Sequence, residues 1–593
     1  MKKICLVICF IGLCFQYAFA QQFYKLHLKI DARAFQNRQD FGLRGSISPL
    51  SWNETLILQD PDGDGIYETS LEFNTTPHSV LEFKCVYGQK KLVYELPGQN
   101  RIVVLNEPET TISFNWNMNE NHNLTDLPVL SSVLLLEDFK IAKEALESLH
   151  PGLLNNLSKE KLDSIWTLYK SIFSKDMSYG EVFLNYSNLT AAFGCGHTFP
   201  NFYNQDGLIK QILFEQNHLL PYTFRHFEGR LFINKSADTS SFLPQGTEIL
   251  SINGQPIDNI LNELKKYIRA DAFFDGKKDA ELNVFGYGHF EYFDALFHLL
   301  FPPQNQSLKL EVQKPNSAKD ILEVKGMSLS TRTRRLQALY IDQIRNADEL
   351  WSFKLINEQT AYLKLGTFDV FQLEMDWRGF LKNAFKEIKK NKCKNLIVDI
   401  RWNEGGQDEV LSYLAYFLAK SDIKTVSRKN YVSYKTIEKS LRPYVYTWDT
   451  TFYDLSKKVK TKENGLYRYI DDDVTSISKS KTAFQGDVYI LINGANSSAT
   501  FYLAELVKFN KLATLVGKRT GGSQQSMNGG IMMFLRLPNS RIEIDIPIIC
   551  SINEGKPNMG IEPDLIVEES YENYWLNQDD YVLRVLEEIS KYK

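Results

Sequence analysis

The stretch Asp487-Val-Tyr-Ile-Leu-Ile-Asn-Gly-Ala-Asn-Ser-Ser-Ala-Thr500, followed by the amphipathic run from Phe501 to Phe509, decides the reading of the C-terminal half. An apolar run, a tight turn of small residues and an amphipathic segment spell strand, turn and helix, the repeating unit of an α/β domain. The turn puts Ser498 at the positive end of a helix dipole, beside N–H groups that the first helical turn leaves unpaired. A nucleophilic serine needs such surroundings. A plain helix N-cap also favours serine, so the stretch alone leaves both readings open.

Working outward, strand and helix patterns alternate from about residue 337. Residues 361–365 read as a strand, 375–390 as a helix, 395–400 as the apolar strand of a parallel sheet and 409–419 as a helix. The strand at 395–400 runs into Asp399-Ile-Arg-Trp-Asn-Glu-Gly-Gly406. Glycines at such a turn let backbone N–H groups face an anion, as an oxyanion hole requires, although a simple strand-to-helix loop has the same form. A third feature is Ala192-Phe-Gly-Cys-Gly-His-Thr198, a histidine in a glycine-lined turn. The chain has nine histidines, and none lies beyond residue 300. A histidine base for Ser498 must therefore come from another segment, and His197 is the best placed.

The rest of the chain sets the context. At 593 residues it is too long for one ordinary domain. Its 43% hydrophobic and 24% charged residues are those of a globular protein, and a net charge of −4 gives no footprint for nucleic acid. Met1-Lys2-Lys3, the apolar run from Ile4 to Phe15 and Ala18-Phe19-Ala20 read as a cleaved signal peptide, residues 1–20, which implies a periplasmic or secreted protein. Cys14 fits a lipoprotein cleavage box poorly, and no later run is apolar enough to span a membrane. Cys85, Cys195, Cys393 and Cys550 remain, spaced for neither a disulfide framework nor zinc, and read as small buried hydrophobes. Residues 21–120 read as a β-sandwich, immunoglobulin-like or loosely similar to carbohydrate-binding modules of the starch-binding type. Trp52 could stack on a sugar there, but a core tryptophan is the preferred reading. Asp60-Pro-Asp-Gly-Asp-Gly65 has the start of a calcium loop without its closing glutamate, and is read as an acidic turn. Residues 125–200 are helical, with His150-Pro151-Gly152 ending the first helix. Residues 201–330 return to strands, with an aromatic-rich insertion at 270–300, and Arg332-Thr-Arg-Arg335 reads as a solvated linker.

Taken in order, Gly-His-Thr, Gly-x-Glu-Ile-Leu-x-Ile-Asn-Gly, Asp-Ile-Arg-x-Asn-x-Gly-Gly, Ser-Ser-Ala-Thr and Gly560-Ile-Glu-Pro-Asp564 resemble the tail-specific, or C-terminal processing, serine peptidases and their tricorn-core relatives. The resemblance runs from about residue 130 to 570. It implies a multidomain chain: the sandwich, the helical segment, a PDZ-like domain at 201–330 and a crotonase- or ClpP-like α/β catalytic domain at 336–593. It implies Ser498 as nucleophile, with the amide of Ala499 and one from Gly405 or Gly406 as oxyanion hole. Many members use a lysine base; here Ser523 of Gly517-Lys-Arg-Thr-Gly-Gly-Ser523 stands where that lysine would be. Relatives without it use a histidine and a glutamate, which points to His197 and to Glu554, with Glu562 as second choice. Lys518 as base is the remaining serine-hydrolase alternative.

A polypeptide substrate, no cofactor and no metal follow from that resemblance. The PDZ-like domain is expected either to capture an extended chain by strand addition or, if the insertion covers its groove, to serve as a structural cap. A catalytically silent protein that binds peptide, with glycan held on the sandwich, is the rival from another class.

Overall fold

The computed structural model describes residues 21–33, 40–76, 79–88, 92–95, 100–116, 129–302, 307–315, 317–470 and 476–591. The expected signal peptide lies outside them. The chain divides into two compact units, Met1–Pro128 and Val129–Lys593.

In the first unit, Gln22–Asp31 pairs antiparallel with Ile66–Thr75 and parallel with Glu109–Asn115. A second sheet is built on Ser79–Tyr87, which pairs with Gly42–Gly45, Val93–Tyr94 and Arg101–Leu105. Alternation along Gln22–Asp31 turns Tyr24, Leu26, Leu28 and Ile30 inward, where they share one core with Phe83, Cys85 and Val103 of the other sheet. This is the expected sandwich. Trp52 is not in its core: it lies in the bend after Leu50 and is 37% exposed, because no strand neighbour holds it inward. The three acidic residues Asp60, Asp62 and Asp64 form a tight turn, in which Asp60 and Asp64 accept from the N–H groups of Gly65 and Ile66.

The second unit begins with helices Ser132–Leu149, Lys159–Ile172 and Tyr179–Ala191. Ser158 caps the second, and Ser178 with Glu181 forms a capping box on the third. A sheet follows in the order Lys319–Lys325, Ser307–Gln313, Glu248–Ile252, Arg230–Ser236 and Tyr222–Phe227, with helix Ile257–Leu264 beside it. The aromatic insertion folds into helices Asp275–Glu281 and Tyr292–Leu300. It returns to the sheet edge, where Phe224 and Val284 exchange both backbone hydrogen bonds at 3.0 Å, and its second helix packs on Ile257–Leu264.

The C-terminal part holds a six-stranded sheet in the order Trp351–Asn357, Thr360–Leu365, Asn395–Asp399, Asp487–Ile492, Thr514–Gly517 and Leu565–Ile566. All its pairings are parallel except the first. Helices Trp377–Lys390, Asp408–Leu418 and Ser498–Asn510 cover one face. Tyr581 and Val585 of helix Asp580–Ser590 cover the other, over Ile397, Tyr489 and Leu491. Burial on both faces is why the central strands read as unbroken apolar runs.

The segment read as a solvated linker is instead helix Leu329–Leu339. Arg332 is fully buried at 0% exposure; its guanidinium forks onto Asp294 of the insertion, with Nη1 donating to Oδ1 at 2.8 Å, and also reaches the Leu220 carbonyl. A cation without a local partner reads as exposed in sequence; its partner here is 38 residues away. Removing one member of a buried pair leaves the other charge unpaired and costs roughly 3–5 kcal/mol. Arg332→Ala is therefore expected to lower the thermal midpoint of unfolding by several degrees more than the exposed substitution Arg334→Ala, as measured by calorimetry.

Candidate active site

The turn after the central strand Asp487–Ile492 is built by its own side chains. The Asn493 N–H donates to Asn496 Oδ1 at 2.7 Å, and Asn496 Nδ2 donates to the carbonyls of Ile400 at 2.6 Å and Asn403 at 3.0 Å. Thr500 Oγ1 donates to the Asn403 carbonyl at 2.9 Å and Ser497 Oγ to that of Glu404 at 3.1 Å. These bonds clamp the Ser498 turn to the Gly-Gly loop. Asn403 closes the arrangement: its Oδ1 takes the Gly405 N–H at 2.9 Å and its Nδ2 donates to the Leu365 carbonyl at 2.8 Å.

Ser498 sits at the tip with φ of +51°, a left-handed conformation that costs a side-chain-bearing residue about 1–3 kcal/mol. Its Oγ makes no hydrogen bond among the described residues, and the residue is half-buried. The N-cap position belongs to Ser497, so capping does not account for Ser498. Gly405 and Gly406 have φ of +116° and +136°. A Cβ on Gly405 would lie 2.8 Å from Ser498 Cβ, and one on Gly406 would lie 2.1 Å from the Phe368 carbonyl carbon. Only glycine fits either position. The Gly405 N–H is already held by Asn403, which leaves the Gly406 amide as the loop's candidate donor toward an anion, beside that of Ala499 at the helix start.

His197 lies in the turn after helix Tyr179–Ala191, beside Gly529 of the strand Ser526–Arg536. Arg269 and the insertion at 270–300 that follows it hold this turn. Arg269 donates to the Gly196 carbonyl and, at 2.8 Å, to Tyr292 Oη; Asp271 Oδ1 accepts the Gly196 N–H at 2.8 Å. Arg269 and Lys277 also reach Glu404 Oε2, at 3.5 and 2.8 Å, and Lys277 donates to the Ala495 carbonyl at 3.2 Å. The same side chains therefore touch the histidine turn, the Gly-Gly loop and the serine turn. Burial, and then the cations Arg269 and Lys277, push the His197 pKa down to about 3, so its imidazole is neutral at ordinary pH. Among the described residues no hydrogen bond joins His197 to Ser498 directly, and His197 Nδ1 is buried without a partner.

The structure does not bring the expected glutamates to His197. Glu554 is 72% exposed and pairs with Lys429 at 3.1 Å; Glu562 is 53% exposed and pairs with Arg519 at 3.4 Å. Both follow the strand Glu543–Ile552 into surface loops, and spacing alone could not say which way those loops turn. Lys518 pairs with Glu569 at 3.3 Å and lines a separate cavity of about 550 Å³ with His226, Lys265 and Asn493. Ser523, where a lysine base would stand, donates to Asn558 Oδ1 at 2.7 Å. Sequence reasoning missed Arg269, Asp271, Lys277 and Glu404. Asn403 lay inside a quoted motif, but its bracing role has no sequence signal.

Residues 359–567 match the family model described as peptidase family S41, and residues 215–282 match that of a PDZ domain. Among solved structures, mature CPAF complexed with lactacystin is 15% identical, with a TM-score of 0.53 over 74% of this chain and 95% of that one. Mature CPAF is 14% identical, with a TM-score of 0.51 over 74% of this chain and 94% of that one. At such identities the likeness is one of fold. No curated protein matches the chain.

Because no Cβ fits at Gly406, Gly406→Ala is expected to lower kcat/KM at least about 100-fold, the cost of a lost oxyanion donor, while Gly405→Ala, whose Cβ would meet Ser498 Cβ at 2.8 Å, is expected to lower it by displacing the serine, each with circular dichroism unchanged. Peptide hydrolysis assays on the purified variants measure this.

Proposed function

The chain is a serine-type peptidase with a peptidase family S41 domain, and we propose that it is a secreted or periplasmic endopeptidase that cleaves polypeptides through an acyl-enzyme on Ser498. His197 acts as general base, and the amides of Gly406 and Ala499 form the oxyanion hole. The observation that carries this reading is the strained Ser498 turn clamped against the Gly-Gly loop, with Oγ unbonded among the described residues.

The chemistry follows from those positions. His197 takes the Ser498 Oγ proton as Oγ bonds to the scissile carbonyl carbon, whose oxygen becomes an oxyanion facing the two amides. The C–N bond breaks as the imidazolium returns the proton to the leaving amine. Water, deprotonated by His197, then attacks the ester carbon, and the C–Oγ bond breaks as the imidazolium returns that proton to Ser498 Oγ. With Nδ1 closed off, these transfers run through Nε2. A cleft of about 870 Å³ lined by His150, Leu153, Leu154, Tyr434, Leu466 and Tyr467 lies on the His150 side of the histidine turn; His150 Nε2 is 2.9 Å from Oγ1 of Thr198, next to the base.

The PDZ-like domain acts as a structural cap. Val284 of the insertion occupies the sheet edge at Phe224, and helix Tyr292–Leu300 packs on Ile257–Leu264, so strand addition at that edge is met by the chain itself.

A fluorophosphonate is expected to label wild type at Ser498 and to leave Ser498→Ala unlabelled; absence of label in folded wild type would count against the nucleophile. His197→Ala is expected to lower kcat at least about 100-fold. Protonation disables a base, and the His197 pKa is lowered from 6.5, so activity persists into acid: the acid limb of kcat/KM falls below pH 6.5. A limb above that value contradicts a base so placed. Peptides with free and amidated C-termini are expected to be cleaved with similar KM, measured on matched pairs; a strong preference for the free acid would restore terminal capture.

A further inference from the structure

We propose that Asp271, from the insertion in the PDZ-like domain, is the carboxylate that positions His197 by accepting its Nδ1–H during the reaction. The inference rests on the Ser498–His197 reading above. Among the described residues, three buried polar atoms near the histidine turn are left unpaired: His197 Nδ1, Asp271 Oδ2 and Oδ1 of Asn528, whose Nδ2 donates to Cys195 Sγ at 3.5 Å. The first is a donor in the tautomer a base requires; the other two are acceptors, and of these only Asp271 can carry the negative charge that an imidazolium calls for. A buried polar group without a partner calls for an explanation.

Asp271 packs on Gly196, the residue that precedes His197. Asp271 Oδ1 takes the Gly196 N–H at 2.8 Å, and a Cβ on Gly196 would lie 2.7 Å from Asp271 Oδ2. The carboxylate is thus packed against the residue preceding His197, is only 4% exposed, and keeps one oxygen unused. Other charged groups near the turn are committed. Glu404 serves Lys277 and Arg269, and Asp545 accepts from Asn201 and Asn204. His150 is bonded at both nitrogens, to Thr198 and to the Gly152 N–H. Burial raises the Asp271 pKa to about 6, which suits a carboxylate whose second oxygen lacks a donor until the imidazolium forms. Hydrogen bonds of this kind are commonly loose in a ligand-free site and tighten with substrate.

Asp271→Asn separates positioning from support. Its amide oxygen still accepts the Gly196 N–H, but its NH2 presents a donor to Nδ1 and favours the wrong tautomer. Expected are a fall in kcat of at least about 100-fold, KM and thermal midpoint unchanged, and slower fluorophosphonate labelling of Ser498. Wild-type kcat in Asp271→Asn, with His197→Ala inactive, overturns the assignment of Asp271 and leaves the base in place. Full activity in His197→Ala overturns the base itself, and this inference with it. Should Asp271→Asn not fold, Asp271→Ala with added formate carries the test: recovery of kcat supports the assignment, and no recovery overturns it.

Discussion

The hydrogen-bonded clamp between the turn at 493–500 and the loop at 400–405 is the constraint on which the site depends. Asn496, Ser497 and Thr500 bind carbonyls of Ile400, Asn403 and Glu404, while Asn403 holds the Gly405 amide in place. Two adjacent parallel strands, Asn395–Asp399 and Asp487–Ile492, deliver these loops to the same end of the sheet. The clamp turns that shared exit into a fixed geometry and sustains the left-handed backbone of Ser498, which an isolated turn would relax.

A second layer comes from the middle of the chain. Arg269, Asp271 and Lys277 bind the histidine turn, the Gly-Gly loop and the serine turn together, so the insertion is part of the frame around the site as well as a cover on the sheet edge. The Arg332–Asp294 pair in turn anchors the insertion to the helix that leads into the α/β part. Opposite charges near the loop offset one another: Lys277 and Arg269 draw Glu404 below its ordinary range against the effect of burial, while burial and the nearby Glu404 raise Glu281. Disturbing the docking of the insertion therefore disturbs chemistry on residues far away in sequence.

Much of the fold was legible because local pattern carries it. The apolar run at 395–400 became a strand buried on both faces, and the run ending at Ile492 became its parallel neighbour. The stretch 21–120, read as a sandwich, became two sheets around one core. What failed had long-range causes. Arg332 read as solvated because its partner lies on another element, Trp52 read as core because nothing local showed that its bend faces outward, and Glu554 read as a triad member because loop direction has no local signature.

By itself the sequence determined the elements and the residue types available: a serine after an apolar strand, two glycines in a neighbouring strand-to-helix loop, and a histidine that can come only from the segment before residue 300. Periodicity and backbone sterics are local properties, and they can be read one segment at a time. Only the tertiary structure decided which charges surround the histidine and which carboxylates stay at the surface. Those outcomes depend on burial and on partners that chain folding alone brings together, and no spacing along the chain encodes them.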